Sequence, residues 1–259
     1  MERTYAVTGS ASGIGAATTA YLRARGDRVI SCDLRDADVR ADLASREGRA
    51  ALLDGVTRLC GGRLDGIVAN AGGGPPETML SLNFFGAVAT VERLRPLLGA
   101  SAAPRAVLIS SVASLGPIDP GLVDACLRGD EAEAVAASQA WLTAGGSPGH
   151  LYGSAKQALN RWCRRVSIQP EWAGAGIPLN VIAPGIVDTP AAAWILSNPA
   201  IREEMKRRVP LSAAYPARAE QMAALLAWCV SPENALMTGQ VLFADGGLEC
   251  AARGGPGLA

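Results

Sequence analysis

The chain has 259 residues, with 24 basic and 24 acidic side chains, one histidine and six cysteines. This length suits one α/β domain with a large core, and the 49% hydrophobic content excludes a disordered chain. A net charge of zero gives no electrostatic reason to expect a nucleic acid or an anionic membrane as partner. The single His150 cannot supply a multi-histidine metal site, so we predict no metal.

The cysteines are widely spaced along the chain. The closest pair, Cys229 and Cys250, is separated by 21 positions, which excludes a C-x-x-C motif. Buried, reduced thiols are the simpler interpretation, and they favour the cytoplasm. The uncharged segment 4–22 contains too many glycines and hydroxyl residues for a signal peptide or a membrane span. The sequence therefore predicts a cytoplasmic protein.

Short apolar runs alternate with segments of helical apolar spacing. The predicted strands are 4–8, 28–32, 66–69, 106–110, 179–182 and 240–243, and the predicted helices are 14–25, 46–60, 80–98, 152–172 and 219–229. Such alternation predicts an α/β fold, with helices on both faces of a doubly wound parallel sheet. No linker divides the chain, so residues 1–250 are predicted to form one domain and residues 251–259 a flexible tail.

The first predicted strand runs into a glycine-rich turn and then directly into a helix. Glycines let the backbone turn tightly and approach a pyrophosphate, whose charge the free N–H groups at the helix start stabilise. An ordinary turn is the alternative, but the position between a strand and a helix favours a phosphate site. The candidate residues of this cofactor site are Gly9, Ser12, Gly13, Ile14 and Gly15.

A carboxylate follows the second predicted strand. Asp33 lies 18 residues after Gly15, near the spacing of a carboxylate that accepts hydrogen bonds from an adenosine ribose and repels a 2′-phosphate. Arg35 is close enough to pair with such a phosphate, but no basic residue stands at Ser12 to assist it. Asp33 therefore favours NAD over NADP as cofactor, the alternative being a solvated acid at a strand end.

Tyr152 and Lys156 lie four positions apart in a predicted helix and so share one face of it. The unperturbed pKa of a phenol is about 10, which makes neutral tyrosine a poor base near pH 7. A nearby ammonium favours the phenolate, and a positively charged nicotinamide adds to that effect. The pair is a candidate proton donor and acceptor for alcohol and ketone chemistry, although a surface Tyr–Lys pair is also common.

These motifs occur with others in one order along the chain. The full set is the turn 8–15, Asp33, Asp42-Leu43, Asn70-Ala71-Gly72, Asn83, Ser110-Ser111, Tyr152 with Lys156, Pro184-Gly185 with Thr189, and Asp245-Gly246-Gly247. From about Thr4 to Gly247 the sequence resembles the short-chain dehydrogenase/reductase family. The resemblance implies a Rossmann-type fold, a nicotinamide cofactor and hydride transfer at a secondary alcohol or carbonyl.

The resemblance also implies a role for each catalytic candidate. Tyr152 would be the acid/base, and Lys156 would bind the nicotinamide ribose and lower the pKa of Tyr152. Ser111 would polarise the substrate oxygen, while Asn83 would support a water that relays protons through Lys156. The implied cofactor-binding residues are Asp33, Leu34, Asp42, Leu43, Asn70, Ala71, Gly72, Tyr152, Lys156, Pro184, Ile186 and Thr189. Asn70 or Asn83 alone could instead tie loops together.

The 41 positions from Ser111 to Tyr152 exceed the family's usual separation, which indicates an insertion at about 115–149. Helical patterns at 118–127 and 130–143 lie within it, and the insertion is expected over or beside the cleft. Together with the segment 32–37, this insertion resembles bacterial 3α-hydroxysteroid dehydrogenase/carbonyl reductases. That resemblance implies a homo-oligomer, as a dimer or a tetramer.

Residues 190–215 are predicted to form a substrate lid. Trp194, Ile195, Leu196 and Met205 suit a bulky apolar small molecule such as a steroid or terpenoid, while the basic residues of 202–208 are predicted to form a solvated helix face. Other functions remain open at this point: a non-catalytic NAD(H) sensor or scaffold, a reductase of other carbonyls or quinones, and an epimerase or dehydratase. A serine hydrolase using His150 lacks the G-x-S-x-G motif.

Overall fold

The computed structural model describes residues 2–254. Its strands are β1 (Thr4–Thr8), β2 (Arg28–Asp33), β3 (Val39–Arg40), β4 (Gly66–Ala69), β5 (Arg105–Ile109), β6 (Leu179–Pro184), β7 (Val187–Asp188), β8 (Ala217–Arg218) and β9 (Val241–Ala244). Within this part of the chain, seven parallel strands form one sheet in the order β3-β2-β1-β4-β5-β6-β9, and β7 pairs with β8. The order reverses between β1 and β4, which confirms the doubly wound Rossmann-type fold.

Helices cover both faces of the sheet. They are α1 (Gly13–Ala24), α2 (Arg46–Cys60), α3 (Ala87–Leu94), α4 (Pro120–Arg128), α5 (Glu131–Thr143), α6 (Pro148–Val166), α7 (Ala193–Leu196), α8 (Pro199–Arg208), α9 (Ala219–Cys229) and α10 (Leu248–Arg253). Leu22 of α1 and Leu226 of α9 share one core with Val7, while Leu52 of α2 and Leu159 of α6 belong to the core of the opposite face. None of these helices is long and apolar enough to cross a membrane.

The predicted strands agree with the observed ones to within two residues at each end. The agreement has a physical basis, because strands buried on both faces are continuous apolar runs. In β1, for example, Tyr5 and Val7 enter one core while Ala6 enters the other. The two-residue strands β3, β7 and β8 are too short to produce any sequence period, and the sequence does not predict them.

Residues 80–98 differ from the single helix predicted for them. A π-helical segment, Ser81–Gly86, precedes α3, and a 3-10 turn, Arg95–Ala100, follows it. The Asn83 side chain donates to the Met79 carbonyl at 2.9 Å, so it competes with the backbone bond that an α-helix would make there. Pro96 has no N–H to continue an α-helix at the other end.

The helix predicted at 152–172 begins and ends earlier, as α6. Ser147 caps it by accepting a hydrogen bond from the Gly149 amide, and Pro148 occupies its first turn, where proline is tolerated. The helix ends at Val166, and turns follow it to Gly176. Tyr152 therefore lies in the second turn of a well-capped helix rather than at its first residue.

The inserted residues fold as α4 and α5. Asp119 and Asp130 cap the two helices by accepting hydrogen bonds from the Leu122 and Glu133 amides. Helix α4 packs against α6, and α5 packs against α4 and the π-helical segment. The insertion therefore lies beside the catalytic helix, with α4 on α6 and α5 on the π-helical segment.

The first three residues of the predicted tail, 251–253, form the end of helix α10. Helix α10 extends to Arg253, and the Asp245 carboxylate anchors its start by accepting hydrogen bonds from the Gly247 and Glu249 amides. Residues 255–259 lie outside the described part of the chain. Cys250 on α10 is exposed, unlike the five other cysteines, which are buried as predicted.

Candidate active site

The predicted site residues follow the carboxyl ends of neighbouring strands. The glycine-rich turn follows β1, Asp33 ends β2, Asn70 follows β4, and Ser111 follows β5. Because these strands are parallel and adjacent in the sheet, their carboxyl ends meet at one edge. The fold thus brings residues from distant parts of the sequence to a single cleft edge.

The glycine-rich turn has the backbone that a close approach requires. Gly9 and Gly13 have φ values of +67° and +52°, which favour glycine. A side chain on Gly15 would collide with the Gly9 carbonyl, so the helix can pack against the turn only without one. Ser12, the N-cap of α1, makes no side-chain cap hydrogen bond, and the first turn of α1 contains no acid. These features fit an anionic pyrophosphate at the helix start.

Asn70 and Thr8 hold this turn against the sheet. The Asn70 Nδ2 donates to the carbonyls of Thr8 and Gly9 at 3.1 and 3.3 Å. The Thr8 Oγ1 in turn accepts hydrogen bonds from the Asn70 and Ala71 amides at 3.0 and 3.1 Å. Asn70 therefore ties two loops, and Thr8, the first residue of the predicted turn, is a positioning residue.

The Asp33 carboxylate lies beside the glycine-rich turn. Its Oδ2 accepts a hydrogen bond from the Ala11 amide at 2.9 Å, and its Oδ1 accepts one from the Leu34 amide at 2.7 Å. No ion pair among residues 2–254 involves Asp33. Leu34 is 61% exposed at the rim of the site. The position fits a carboxylate that accepts hydrogen bonds from a ribose and repels a phosphate.

Lys156 is buried, with 2% of its surface exposed. Its Nζ donates to the Ile109 carbonyl at 2.9 Å and lies 5.6 Å from the centroid of the Tyr152 ring. Burial disfavours the charged form and lowers the pKa of Lys156 to about 7. The amine is therefore held against the end of β5 and beside the phenol, as the spacing of four residues predicts.

Tyr152 and Ser111 lie close together. Burial raises the pKa of Tyr152, and a hydrogen bond with the Ser111 side chain opposes that effect. Ser111 starts the 3-10 turn Val112–Leu115, and its Oγ accepts a hydrogen bond from the Ala113 amide at 3.1 Å. Tyr152, Lys156 and Ser111 thus converge, and the phenol stays protonated at neutral pH unless a positive charge approaches it.

Asn83 lies next to Lys156. A Cβ built on Gly72 would lie 2.9 Å from the Asn83 Oδ1 and 3.3 Å from the Lys156 Nζ, so these three residues meet. The Asn83 side chain exchanges hydrogen bonds with the Gly73 backbone at 2.8 and 2.9 Å. Its amide therefore ties the loop after β4 to the π-helical segment. Such π-helical turns are frequent at functional sites.

A chain of hydrogen bonds behind Ser111 was not predicted from the sequence. The Ser114 Oγ donates to the Ser111 carbonyl at 2.7 Å and accepts from the Asn160 Nδ2 at 3.1 Å. Asn160 is one helical turn beyond Lys156, which is the one signal that could have identified it. Helix α6 therefore positions Ser111 as well as carrying Tyr152 and Lys156.

The remaining predicted residues lie at the opposite side of the turn. Pro184 ends β6, and the Ile186 carbonyl accepts a hydrogen bond from the Ala217 amide at 3.0 Å. A Cβ on Gly13 would lie 3.0 Å from the Thr189 methyl group, so Thr189 contacts the glycine-rich turn.

His150 packs on Trp141 of the insertion, with ring centroids 5.8 Å apart. Among residues 2–254, no group of three or more His, Cys, Asp or Glu side chains could hold a metal ion.

Comparisons with known proteins identify the family of the chain. The family model described as short chain dehydrogenase matches residues 3–123, and the model described as enoyl-(acyl carrier protein) reductase matches residues 122–249. The chain is 36% identical to 3-alpha-hydroxysteroid dehydrogenase/carbonyl reductase from Comamonas testosteroni over 95% of this chain and 96% of that protein. It is 30% identical to cis-4-hydroxycyclohexanecarboxylate dehydrogenase from Sinomonas cyclohexanicum, again over 95% of this chain and 96% of the other.

Solved structures give the same result. The fold is similar to the 3-alpha-hydroxysteroid dehydrogenase of Pseudomonas sp. B-0831 complexed with NADH, with a TM-score of 0.87 and 34% identity over 97% of this chain and 99% of that one. It is also similar to Pseudomonas aeruginosa RhlG in complex with NADP, with a TM-score of 0.74 and 29% identity over 95% of this chain and 96% of that one. The chain therefore belongs to the short-chain dehydrogenase/reductase family, whose members are oxidoreductases that bind a nicotinamide cofactor.

Proposed function

We propose that this protein is an NAD-dependent dehydrogenase/reductase that interconverts a secondary alcohol and a ketone on an apolar, steroid- or terpenoid-like substrate. The observation that supports this most strongly is the buried Lys156 amine, 5.6 Å from the ring of Tyr152, whose phenol lies beside the Ser111 side chain. Alcohol oxidation needs a group that accepts the hydroxyl proton and a group that binds the oxygen. An amine, a phenol and a serine hydroxyl in one cleft can supply both without a metal or a histidine.

The bound nicotinamide would supply hydride acceptance in oxidation and hydride donation in reduction. The glycine-rich turn would hold its pyrophosphate, and the Asp33 carboxylate its adenosine ribose. Thr189 and Ile186, on the other side of the turn, would contact the nicotinamide end. The chain's own contribution is to place the substrate and to move one proton.

In the oxidation direction, Tyr152 would accept the hydroxyl proton of the substrate while the Ser111 hydroxyl binds the same oxygen. Lys156 favours the phenolate when it is protonated, since an ammonium close to the phenol stabilises the anion. The Ile109 carbonyl accepts only one of the three N–H groups that a lysine ammonium carries, so others remain for a ribose hydroxyl. In reduction, the same phenol would return the proton to the ketone oxygen.

The preference for NAD rests on Asp33. Its carboxylate forms no ion pair and lies next to the glycine-rich turn, where it would repel a 2′-phosphate. The similar Pseudomonas sp. B-0831 dehydrogenase was crystallised with NADH, which supports this choice, whereas the more distant RhlG was crystallised with NADP. Absorbance assays with NADH and NADPH would test the preference, and faster turnover with NADPH would overturn it.

The substrate proposal rests on the lid segment 190–215 and on the named relatives. Trp194 is 68% exposed on the short helix α7, so it is available to an apolar ligand. Two relatives carry the names of dehydrogenases acting on cyclic alcohols.

We also propose that the chain forms a homo-oligomer, and size-exclusion chromatography would separate a dimer from a tetramer.

The substitution Tyr152→Phe tests the catalytic proposal. It removes the hydroxyl group and leaves the ring, so turnover should fall by roughly 10²–10⁴-fold, the usual contribution of general acid–base catalysis. Binding of NADH, measured by fluorescence titration, should change little. Tyr21→Phe on the surface of α1 is the matched control and should keep full activity. Substantial turnover by Tyr152→Phe would remove Tyr152 from this role, and a wild-type protein that binds NADH without turning over any ketone would favour a sensor.

A further inference from the structure

A buried arginine joins the insertion to the rest of the molecule. The Arg49 side chain on α2 is 6% exposed, and the Glu131 side chain on α5 is 16% exposed. Their contact is bidentate, with both nitrogen–oxygen distances at 2.6 Å. The two residues are 82 positions apart in sequence. Nothing in the proposed chemistry requires this pair.

The same guanidinium also binds three backbone carbonyls. Its Nε donates to the Leu43 carbonyl at 2.7 Å, and one terminal nitrogen donates to Ser81 at 2.9 Å and to Ala44 at 3.3 Å. Leu43 and Ala44 belong to the segment that follows β3, and Ser81 starts the π-helical segment that contains Asn83. One side chain therefore holds together the insertion, a segment of the predicted cofactor site and the segment that carries the predicted catalytic residue Asn83.

The physical chemistry makes Arg49 dependent on Glu131. A guanidinium keeps its proton at any pH at which the protein is folded, so a buried arginine needs a nearby anion. Removing one partner of a buried ion pair leaves an uncompensated charge, whereas exposed pairs contribute little. The insertion also contains such an exposed pair, Arg128 with Glu133, whose side chains are 53% and 50% exposed.

The backbone that Arg49 holds is confined from other directions as well. A Cβ on Gly86 would lie 2.8 Å from the Leu43 carbonyl, and a Cβ on Gly48 would collide with the Asp42 carbonyl. The segment after β3 therefore has little freedom to move once the guanidinium is in place. A preformed binding segment reduces the entropy lost when a ligand binds.

We infer that Arg49 and Glu131 are positioning residues through which the docked insertion fixes the segment 42–44 for the adenosine end of the dinucleotide. This inference rests on the proposed cofactor site, because it assumes that adenosine binds against Asp42 and Leu43. The pair contacts neither substrate nor reacting atoms, and it acts through the backbone that it holds. Docking of the insertion and binding of adenosine are then coupled, and the coupling acts in both directions.

The test compares two neutralising substitutions in the same helix. Glu131→Gln removes the charge from the buried pair, and Glu133→Gln, the matched control, removes it from the exposed pair. Calorimetric titration with ADP-ribose, which contains the adenosine of the cofactor and lacks only the nicotinamide ring, should give a Kd about tenfold higher for Glu131→Gln. The control should bind ADP-ribose within about twofold of wild type. Reduced nicotinamide mononucleotide, which lacks adenosine, should bind both variants as it binds wild type.

A second measurement needs no variant. Saturating ADP-ribose should slow hydrogen exchange of the backbone amides of α5 in the wild-type protein, with α9 on the opposite face of the sheet as the internal reference. Unchanged exchange in α5 would overturn the inference, as would equal ADP-ribose affinity in the two variants. A wild-type protein that binds neither ADP-ribose nor NADH would overturn the cofactor site itself, and this inference with it.

Discussion

The catalytic helix and the lid segment differ sharply in how they are held. Ten of the 19 residues of α6 are buried, among them Lys156 and Leu159, whereas α7 and α8 contain no buried residue. Helix α6 lies between the sheet and the insertion, so its side chains have fixed positions. The lid helices have few contacts of this kind and are free to adapt. The proton-transfer groups thus occupy the rigid region, and the candidate substrate contacts occupy the adaptable one.

The largest difference between the two regions should appear when one leucine is truncated in each. Leu159→Ala in α6 leaves a cavity in a fully buried site and should lower the free energy of unfolding by about 2–5 kcal/mol. Leu211→Ala in the lid segment, where the side chain is 61% exposed, should change it by less than about 0.5 kcal/mol. Urea denaturation measures both. Equal losses would show that the lid is as firmly packed as the catalytic helix.

A smaller effect concerns the charge of Lys156. The unfolded chain holds this proton up to the ordinary pKa of 10.5, whereas burial lowers the pKa to about 7 in the folded protein. The unfolded state therefore binds more protons between these values, and folding becomes more favourable as the pH rises from 7 to 10.5. The contribution is about 1 kcal/mol for each pH unit within that window.

Lys156→Met should remove this dependence. Measured by thermal unfolding without cofactor between pH 7.5 and 9.5, the stability of wild type relative to Lys156→Met should rise with pH. Lys206→Met is the matched control, since Lys206 is exposed on α8 and its substitution should leave the pH dependence of wild type intact. Parallel pH profiles for wild type and Lys156→Met would show that the buried amine stays charged.

The smallest expected change in stability comes from Trp194. Because its side chain is 68% exposed, Trp194→Ala should alter the free energy of unfolding by less than about 0.5 kcal/mol. The same substitution should raise the KM for a steroid ketone by roughly 10-fold, as expected when apolar contact with the substrate is lost. Trp228→Ala on α9, where the side chain is 41% exposed, serves as control and should leave KM unchanged. An unchanged KM in Trp194→Ala would place the substrate elsewhere.

Most of the fold could be predicted because its elements have strong local patterns. The apolar run of β1, the glycines of the following turn and the spacing of α2 are each visible within fifteen residues of sequence. The predicted helix 80–98 failed for a tertiary reason. Asn83 bonds to Gly73 and Met79 at once, and no local pattern shows that its side chain replaces a backbone hydrogen bond.

The catalytic residues of the candidate site could be predicted from the sequence, whereas the residues that hold them in place could not. Tyr152 and Lys156 share a helix face by their spacing alone, and the order of motifs placed Ser111 and Asp33 in the same cleft. The residues that hold them were not visible, because Ser114 meets Asn160 across 46 positions. The sequence also allowed the insertion to lie over the cleft or beside it, and the packing of α4 on α6 sets it beside the catalytic helix.

By itself, the sequence determined the parallel sheet, the glycine-rich turn and the family, since each depends on backbone conformation and side-chain period over short distances. Only the tertiary structure decided which polar groups are buried and what compensates them. Arg49 is an ordinary helical residue until Glu131 of the insertion reaches it, and Lys156 has an ordinary pKa until the folded chain buries it against the end of β5. Burial is a property of the folded chain, and burial raises the free energy of an ionised side chain.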